Sequence, residues 1–180
     1  MSVSSAQATP RVLVHATAVA LLNSTLPFGG PIEGAVLLLG ESGAGKSDVA
    51  LRLIAAGAKL ISDDQTVLFV QRDRVWADAP PNLEGRIEIR GVGIVRLDKA
   101  PALPVVLAVR FAEGALPRMP EPQSYPLPAS LQADVKVPLI MLNAHEASTP
   151  AKIAAAAAAI VRGAFVAGAS SAGQSPFSLK

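Results

Sequence analysis

The chain of 180 residues contains no cysteine, which excludes disulfide bonds, thiol nucleophiles and cysteine-rich zinc sites. It has only two histidines, His15 and His145, and their distance along the chain argues against a histidine-based metal cluster. Aromatic residues make up 4% of the sequence. The chain has 16 basic and 14 acidic residues, and the basic ones do not form a cluster. The charge pattern of a nucleic-acid-binding protein is therefore absent.

Long apolar runs are also missing, although 51% of the residues are hydrophobic. A membrane-spanning helix needs about 20 consecutive apolar residues, and the first ten residues lack the charged start and leucine-rich centre of a signal peptide. We therefore expect a cytoplasmic protein that does not enter a membrane. We further expect a flexible arm at residues 1–10, one domain at 11–165 and a disordered, Ser/Gly-rich tail at 166–180.

Apolar patterning predicts a sheet with few helices. The continuous apolar run 35–39 is typical of a strand buried on both faces, and the apolar spacing of 47–56 predicts a helix that ends at Gly57. Residues 11–22 predict a strand followed by a second strand or a short helix. A proline-rich loop is expected at 116–128, with strands at 59–62, 66–70, 74–76, 86–90, 91–97, 104–111 and 137–142 and a helix at 151–162.

The strands after residue 60 follow one another without helices, which departs from strict βαβ alternation. The sequence therefore predicts an α/β fold with a mixed, strand-rich sheet.

Residues 40–47 read Gly-Glu-Ser-Gly-Ala-Gly-Lys-Ser and fit the P-loop pattern G-x-x-x-x-G-K-[ST]. Glycines allow successive backbone N–H groups to surround phosphate oxygens, and the following helix adds its positive end. A glycine-rich turn with an incidental lysine is the alternative, but the strand before and the helix after favour a P-loop. We expect ATP and Mg²⁺ as ligands, bound by Gly40, Glu41, Ser42, Gly43, Ala44, Gly45, Lys46 and Ser47.

Two adjacent carboxylates, Asp63 and Asp64, follow the predicted strand 59–62. In P-loop proteins a carboxylate at such a strand end binds Mg²⁺ directly or through water. The second carboxylate can accept the proton of an attacking hydroxyl, as a kinase requires. An ordinary acidic turn is the alternative, and the preceding P-loop argues against it.

The stretch from Gly40 to Asp64, with Gly57 between, resembles HPr kinase/phosphorylase, and the residues 87–94 (Ile-Glu-Ile-Arg-Gly-Val-Gly-Ile) are similar to that family's signature. Ala79-Pro80 also fits, and the resemblance extends over residues 11–120. It implies a fold like that of phosphoenolpyruvate carboxykinase, a homo-oligomer (a hexamer in the family) and a kinase that phosphorylates a serine of the phosphocarrier protein HPr.

The resemblance also implies roles for individual residues. Lys46 and Ser47 keep their P-loop tasks, Asp64 is the base for the substrate serine, and Asp63 supports it as a metal ligand. Glu88 corresponds to a further Mg²⁺ ligand. His15 stands where the family has a histidine before the P-loop strand, and Arg118 corresponds to an arginine in a mobile loop over the site.

Each of the last three residues has a simpler interpretation. Glu88 could form a cross-strand ion pair with Arg90 on a solvated face, His15 could be an ordinary strand histidine, and Arg118 could be a surface arginine. The chain also departs from the family pattern at residues 142–149, which lack the arginines associated with phosphorolysis. We therefore expect ATP-dependent phosphorylation with little phosphorolysis.

Two other function classes remain open. A small-molecule kinase would need an arginine-rich lid, and only Arg110 and Arg118 lie in a suitable region. A non-catalytic ATP sensor would have no need of the general base that the acid pair offers.

Overall fold

The computed structural model of the chain describes residues 9–22 and 32–165. The predicted arm, apart from Thr9 and Pro10, and the predicted tail at 166–180 lie outside the described residues. Their conformation stays a prediction.

Eleven strands and two α-helices make up the described part of the chain, with one short 3₁₀ turn at Ala129–Leu131. The early elements are β1 (Arg11–His15), β2 (Thr17–Leu22), β3 (Glu33–Leu39), α1 (Lys46–Ala55), β4 (Lys59–Ser62), β5 (Gln65–Gln71) and β6 (Arg74–Asp78). The later ones are β7 (Arg86–Ile89), β8 (Gly93–Arg96), β9 (Leu103–Phe111), β10 (Gln123–Ser124), β11 (Pro138–Leu142) and α2 (Thr149–Val161).

Nine of the strands form one mixed sheet in the order β1-β5-β6-β9-β3-β2-β4, with β11 parallel to β9 and β10 paired to β11. The central pair β3–β9 is parallel, whereas β2 runs antiparallel to both β3 and β4. Strands β7 and β8 form a separate antiparallel hairpin. The predicted α/β class with a mixed, strand-rich sheet is confirmed.

Strand β3 is buried on both faces, as its apolar run predicts. Val36 and Leu38 belong to the core cluster that includes residues of α1 and α2, and Leu37 belongs to the cluster that includes residues of β5 and β6. Because a strand directs successive side chains to opposite faces, the continuous apolar run supplies both clusters. The core thus holds the end of β3, where the P-loop begins, on two sides.

Helix α1 ends as its glycine predicts. Gly57 has φ +103° and donates its N–H to the Ile54 carbonyl at 2.9 Å, while Ala58 donates to the Leu53 carbonyl at 3.0 Å. These two bonds form a Schellman motif, which requires the left-handed conformation that glycine adopts without steric cost.

The observed helices and strands begin and end within two residues of the predicted bounds, and one predicted loop contains a further strand. Helix α2 begins at Thr149, two residues before the predicted start, because Pro150 fits the first turn of a helix. The predicted loop 116–128 contains the short strand β10, which pairs with β11. Residues 11–22 form two strands rather than a strand and a helix.

Among the described residues, neither helix is long and apolar enough to cross a membrane.

Candidate active site

Three chain segments meet at one end of the sheet. The P-loop follows β3, the acid pair follows β4, and residues 15–17 connect β1 to β2. The register explains the meeting, because Thr17 pairs with Leu38 of β3, Ala18 pairs with Ser62 of β4, and His15 pairs with Gln65 of β5. The predicted phosphate-binding loop, the acid pair and His15 therefore surround one space.

The P-loop backbone has the conformation that its glycines allow. Gly45 has φ +90°, and a Cβ atom there would come within 2.8 Å of the Ala144 Cβ. Both observations require glycine at this position. Helix α1 begins at the next residue, so the unpaired N–H groups of its first turn and its positive dipole end lie at the loop. This arrangement suits the binding of phosphate oxygens.

Lys46 lies over the P-loop with only 6% of its surface exposed. Its Nζ donates to the carbonyls of Gly40 (2.8 Å) and Glu41 (2.9 Å) and contacts His15 Nε2 at 2.9 Å. Within the described part of the chain Lys46 forms no ion pair. Since its partners carry no formal negative charge, the ammonium charge remains available to a phosphate group.

Asp63 is the buried member of the acid pair, with 7% exposure. Its Oδ1 accepts hydrogen bonds from Ser47 Oγ and from Thr17 Oγ1, each at 2.8 Å, and its Oδ2 accepts the Glu88 N–H at 3.0 Å. These three donors give both carboxylate oxygens of Asp63 a hydrogen-bond partner. Asp63 thus joins the P-loop helix, β2 and the β7–β8 hairpin.

The Ser47–Asp63 pair fits a magnesium ion. The Ser47 hydroxyl donates its hydrogen bond to Asp63, so the lone pairs of the Ser47 oxygen remain free for a cation. Mg²⁺ is commonly bound through one or two carboxylates together with phosphate oxygens and water. Within residues 9–22 and 32–165 no group of three or more His, Cys, Asp or Glu side chains could hold a metal alone. The donor set therefore suits an ion that arrives with a nucleotide.

Asp64 is the exposed member of the pair, with 63% of its side chain accessible. Its Oδ1 lies 3.2 Å from His15 Nδ1. Because His15 Nε2 faces the Lys46 ammonium, the ring accepts there and donates from Nδ1 to Asp64. Lys46, His15 and Asp64 thus form a continuous hydrogen-bonded line from the P-loop to an exposed carboxylate.

The backbone at Asp64 is strained. Asp64 has φ +63°, and the Gln65 N–H donates to the Asp63 carbonyl at 2.7 Å, which forms a γ-turn centred on Asp64. The positive φ makes this the rarer form of the turn. Such conformations cost about 1–3 kcal/mol and are concentrated at functional sites. The turn directs two adjacent carboxylates differently, one into the protein and one towards solvent.

The remaining predicted residues lie in different positions. The Glu88 backbone contacts Asp63, but its side chain is exposed, and neither Glu88 nor Arg90 forms an ion pair in the described residues. Arg118 is exposed and has no hydrogen bond or ion pair within the described part of the chain. The structure brings together the P-loop, both acids and His15. The metal role of Glu88 and the catalytic role of Arg118 stay predictions.

Sequence reasoning missed two residues that organise the site. Thr17 is completely buried and contacts both acids, and the only signal was one hydroxyl at the start of an otherwise apolar strand. Arg52 of α1 donates to the Ala144 carbonyl and, at 3.1 Å, to the Glu146 carbonyl. It thereby holds the segment 142–149 against the P-loop. Nothing in the local sequence signals that contact.

Comparison with known proteins supports the resemblance described above. Residues 32–102 match a family model described as HPr Serine kinase C-terminal domain. The HPr kinase/phosphorylase of Latilactobacillus sakei is 46% identical over 61 residues, which are 33% of this chain and 20% of that protein. The Lactobacillus delbrueckii enzyme is 50% identical over 62 residues, or 33% and 19% of the two chains. The matched stretch therefore spans only about a fifth of these relatives.

A solved structure shares the fold over a larger part of the chain. The Hpr(Ser) kinase/phosphatase from Coxiella burnetii superposes with a TM-score of 0.62 and 22% identity, covering 84% of this chain and 94% of that one. The resemblance to the HPr kinase C-terminal domain is confirmed for residues 32–102, which contain the P-loop, the acid pair and Glu88. His15, Thr17 and Arg118 lie outside that match.

Proposed function

We propose that this chain is an ATP- and Mg²⁺-dependent protein-serine kinase whose acceptor is the phosphocarrier protein HPr. The observation that carries the proposal is the line Lys46–His15–Asp64, which connects a P-loop to an exposed carboxylate on a strained turn. A P-loop alone would support any nucleotide-binding function. A positioned base beside it is what the activation of a hydroxyl acceptor requires.

Different residues of the chain have separate roles in phosphoryl transfer. Bound MgATP supplies the transferable phosphoryl group and the metal charge. The N–H groups at the start of α1 and the Lys46 ammonium hold the phosphates and balance their negative charge. Ser47 and Asp63 would hold the Mg²⁺ ion that accompanies the nucleotide. Asp64 Oδ accepts the proton of the acceptor hydroxyl, and His15 orients that carboxylate by donating from Nδ1.

The exposure of the base favours a macromolecular acceptor. Asp64 is 63% exposed, so a serine on the surface of another protein can reach it. The neighbouring hairpin β7–β8, anchored to Asp63 through the Glu88 N–H, presents Val92 and Ile94, each 73% exposed. A kinase for a small polar molecule would enclose its substrate among polar and charged groups. The cavity between α1 and α2 is lined by apolar residues and does not meet that need.

A non-catalytic ATP sensor is the second candidate. It would share the P-loop and the Ser47–Asp63 pair, since both serve binding. It would have no use for the strained turn that exposes Asp64, which costs stability without adding a nucleotide contact. The line from Lys46 to Asp64 therefore favours the kinase.

The test is incubation of the chain with γ-labelled ATP, Mg²⁺ and purified HPr, followed by phosphoamino-acid determination. We expect label on a serine of HPr, dependent on Mg²⁺ and abolished by a chelator. ATP binding without transfer to HPr, or to any other protein, would favour the sensor. Label on a small metabolite would point to the other kinase class.

We also predict that the chain does not efficiently dephosphorylate phosphoserine-HPr by phosphorolysis. The segment 142–149 contacts the P-loop through Ala144 but contains no arginine or lysine. Arg52 lies against it and already donates to Asp48 and to two carbonyls. Two phosphate groups brought together there would meet too little positive charge. Release of pyrophosphate from phosphoserine-HPr and phosphate measures the reaction, and rapid release would contradict the prediction.

A further inference from the structure

One hydroxyl contacts both acids from inside the protein. Thr17, fully buried at the start of β2, donates from Oγ1 to Asp63 Oδ1 at 2.8 Å and accepts the backbone N–H of Asp64 at 3.2 Å. The adjacent Ala16 N–H donates to the Asp64 carbonyl at 3.1 Å. The γ-turn of residues 63–65, which we call the acid turn, therefore hydrogen-bonds to the β1–β2 junction through the Asp63 side chain and both backbone polar groups of Asp64.

We propose that Thr17 is a positioning residue that gives the two adjacent acids their different roles. Its donated bond holds the Asp63 carboxylate inside, beside Ser47. Its accepted bond holds the Asp64 N–H, and with it the left-handed backbone that directs the Asp64 carboxylate outward. The expected effect on phosphoryl transfer rests on the proposed function. The role of Thr17 in the conformation of the acid turn does not depend on it.

The cost of losing hydrogen bonds indicates that the Thr17 hydroxyl is specifically needed. Without it, the Asp63 carboxylate would lose a buried donor, and the partly buried N–H of the strained residue Asp64 would lose its acceptor. Losing a partner at a buried polar group is strongly disfavoured. The turn would then relax towards an ordinary backbone conformation at Asp64. Relaxation would move Asp64 away from His15 and reduce the constraint on Asp63. A displacement of about 1 Å at a reacting group can cost a factor of 10² in rate.

The sequence offers a matched control. Thr66 at the start of β5 is equally buried, and its Oγ1 donates to the Ala16 carbonyl at 2.8 Å. It lies two residues after the acid pair, but its side chain contacts neither carboxylate in the described structure. Thr66→Val therefore removes a buried threonine hydroxyl bond nearby without removing a contact to either acid. Loss of stability common to both variants can thus be separated from loss of positioning.

The experiment compares Thr17→Val, Thr17→Ser and Thr66→Val with the wild-type chain. Thermal unfolding measures stability, kcat and KM for HPr measure transfer, and the Mg²⁺ dependence of ATP binding reports on Asp63 independently of transfer. In Thr17→Val we expect kcat to fall by roughly 10–100-fold with the KM for HPr little changed, and the Mg²⁺ midpoint to rise several-fold. Thr17→Ser should restore both, and Thr66→Val should alter only stability.

Three outcomes would overturn the inference: a wild-type Mg²⁺ midpoint and kcat in folded Thr17→Val, a Thr17→Ser variant as impaired as Thr17→Val, or an equal change in Thr66→Val. A wild-type chain that transfers nothing would instead refute the proposed kinase. The Mg²⁺ midpoint of ATP binding would still decide whether Thr17 positions Asp63. If Thr17→Val does not fold, Thr17→Ala with its smaller side chain and Thr17→Ser form the deciding pair.

Discussion

Lys46→Ala is expected to abolish phosphoryl transfer while the chain stays folded. The Lys46 ammonium faces two carbonyls and His15, and no carboxylate neutralises it among the described residues. In the proposed kinase its positive charge would act on the phosphates, most strongly as negative charge develops during transfer. Removing one such group costs about 3–4 kcal/mol of transition-state stabilisation, or 10²–10³-fold in kcat, and the loss of a full positive charge at the phosphates exceeds that.

The fold should tolerate this change because Lys46 contributes nothing to the apolar core. The carbonyls that lose a donor belong to Gly40, which is half-buried, and Glu41, which is exposed, so water can replace the ammonium there. Lys59→Ala, a change at an exposed lysine on β4, is the control and should transfer phosphate normally. Transfer rates come from the labelled-ATP assay and folding from circular dichroism. Near wild-type turnover in Lys46→Ala would refute the P-loop assignment.

The second large effect separates the two acids. Asp64→Asn should lower kcat by roughly 10²–10⁴-fold, because the amide cannot accept a proton from the serine hydroxyl. Asparagine tolerates a positive φ, so the strained turn should persist. The amide oxygen can still accept the His15 Nδ1–H. Binding of MgATP should therefore remain close to that of the wild-type chain, as titration calorimetry can measure.

Asp63→Asn should act differently. Three donors face the Asp63 carboxylate, and an amide has only one acceptor oxygen for them. Its NH₂ group would oppose a donor and the metal. We expect a higher Mg²⁺ requirement, partly overcome by added metal, and some loss of stability.

Asp73→Asn provides the matched control for both variants. Asp73 also has a positive φ, +54°, but lies in the β5–β6 turn. The Asp73→Asn substitution should have no effect on phosphoryl transfer. If transfer survives Asp64→Asn and falls in Asp63→Asn at every Mg²⁺ concentration, the two roles are reversed. If neither change matters, the kinase proposal fails and the ATP sensor replaces it.

The sequence alone determined the features that depend only on residues close together along the chain. Gly45 in the P-loop has a positive φ angle that favours glycine, and Gly57 ends α1 because it too has a positive φ. The apolar run of β3 is sufficient to predict burial on both faces. The pairing of a P-loop with the acids at the end of β4 was predictable as well, since the motif and the strand end lie close along the chain.

Only the tertiary structure decided which acid is buried and what holds it. The two aspartates are chemically identical neighbours, and contacts with Thr17, 46 residues away, and Ser47, 16 residues away, hold Asp63 inside. His15 contacts Lys46 across 31 positions because β1 pairs with β5 and β2 lies between β3 and β4. Strand register brings these groups together, and register results from the packing of the whole sheet rather than from the residues at either end of a contact.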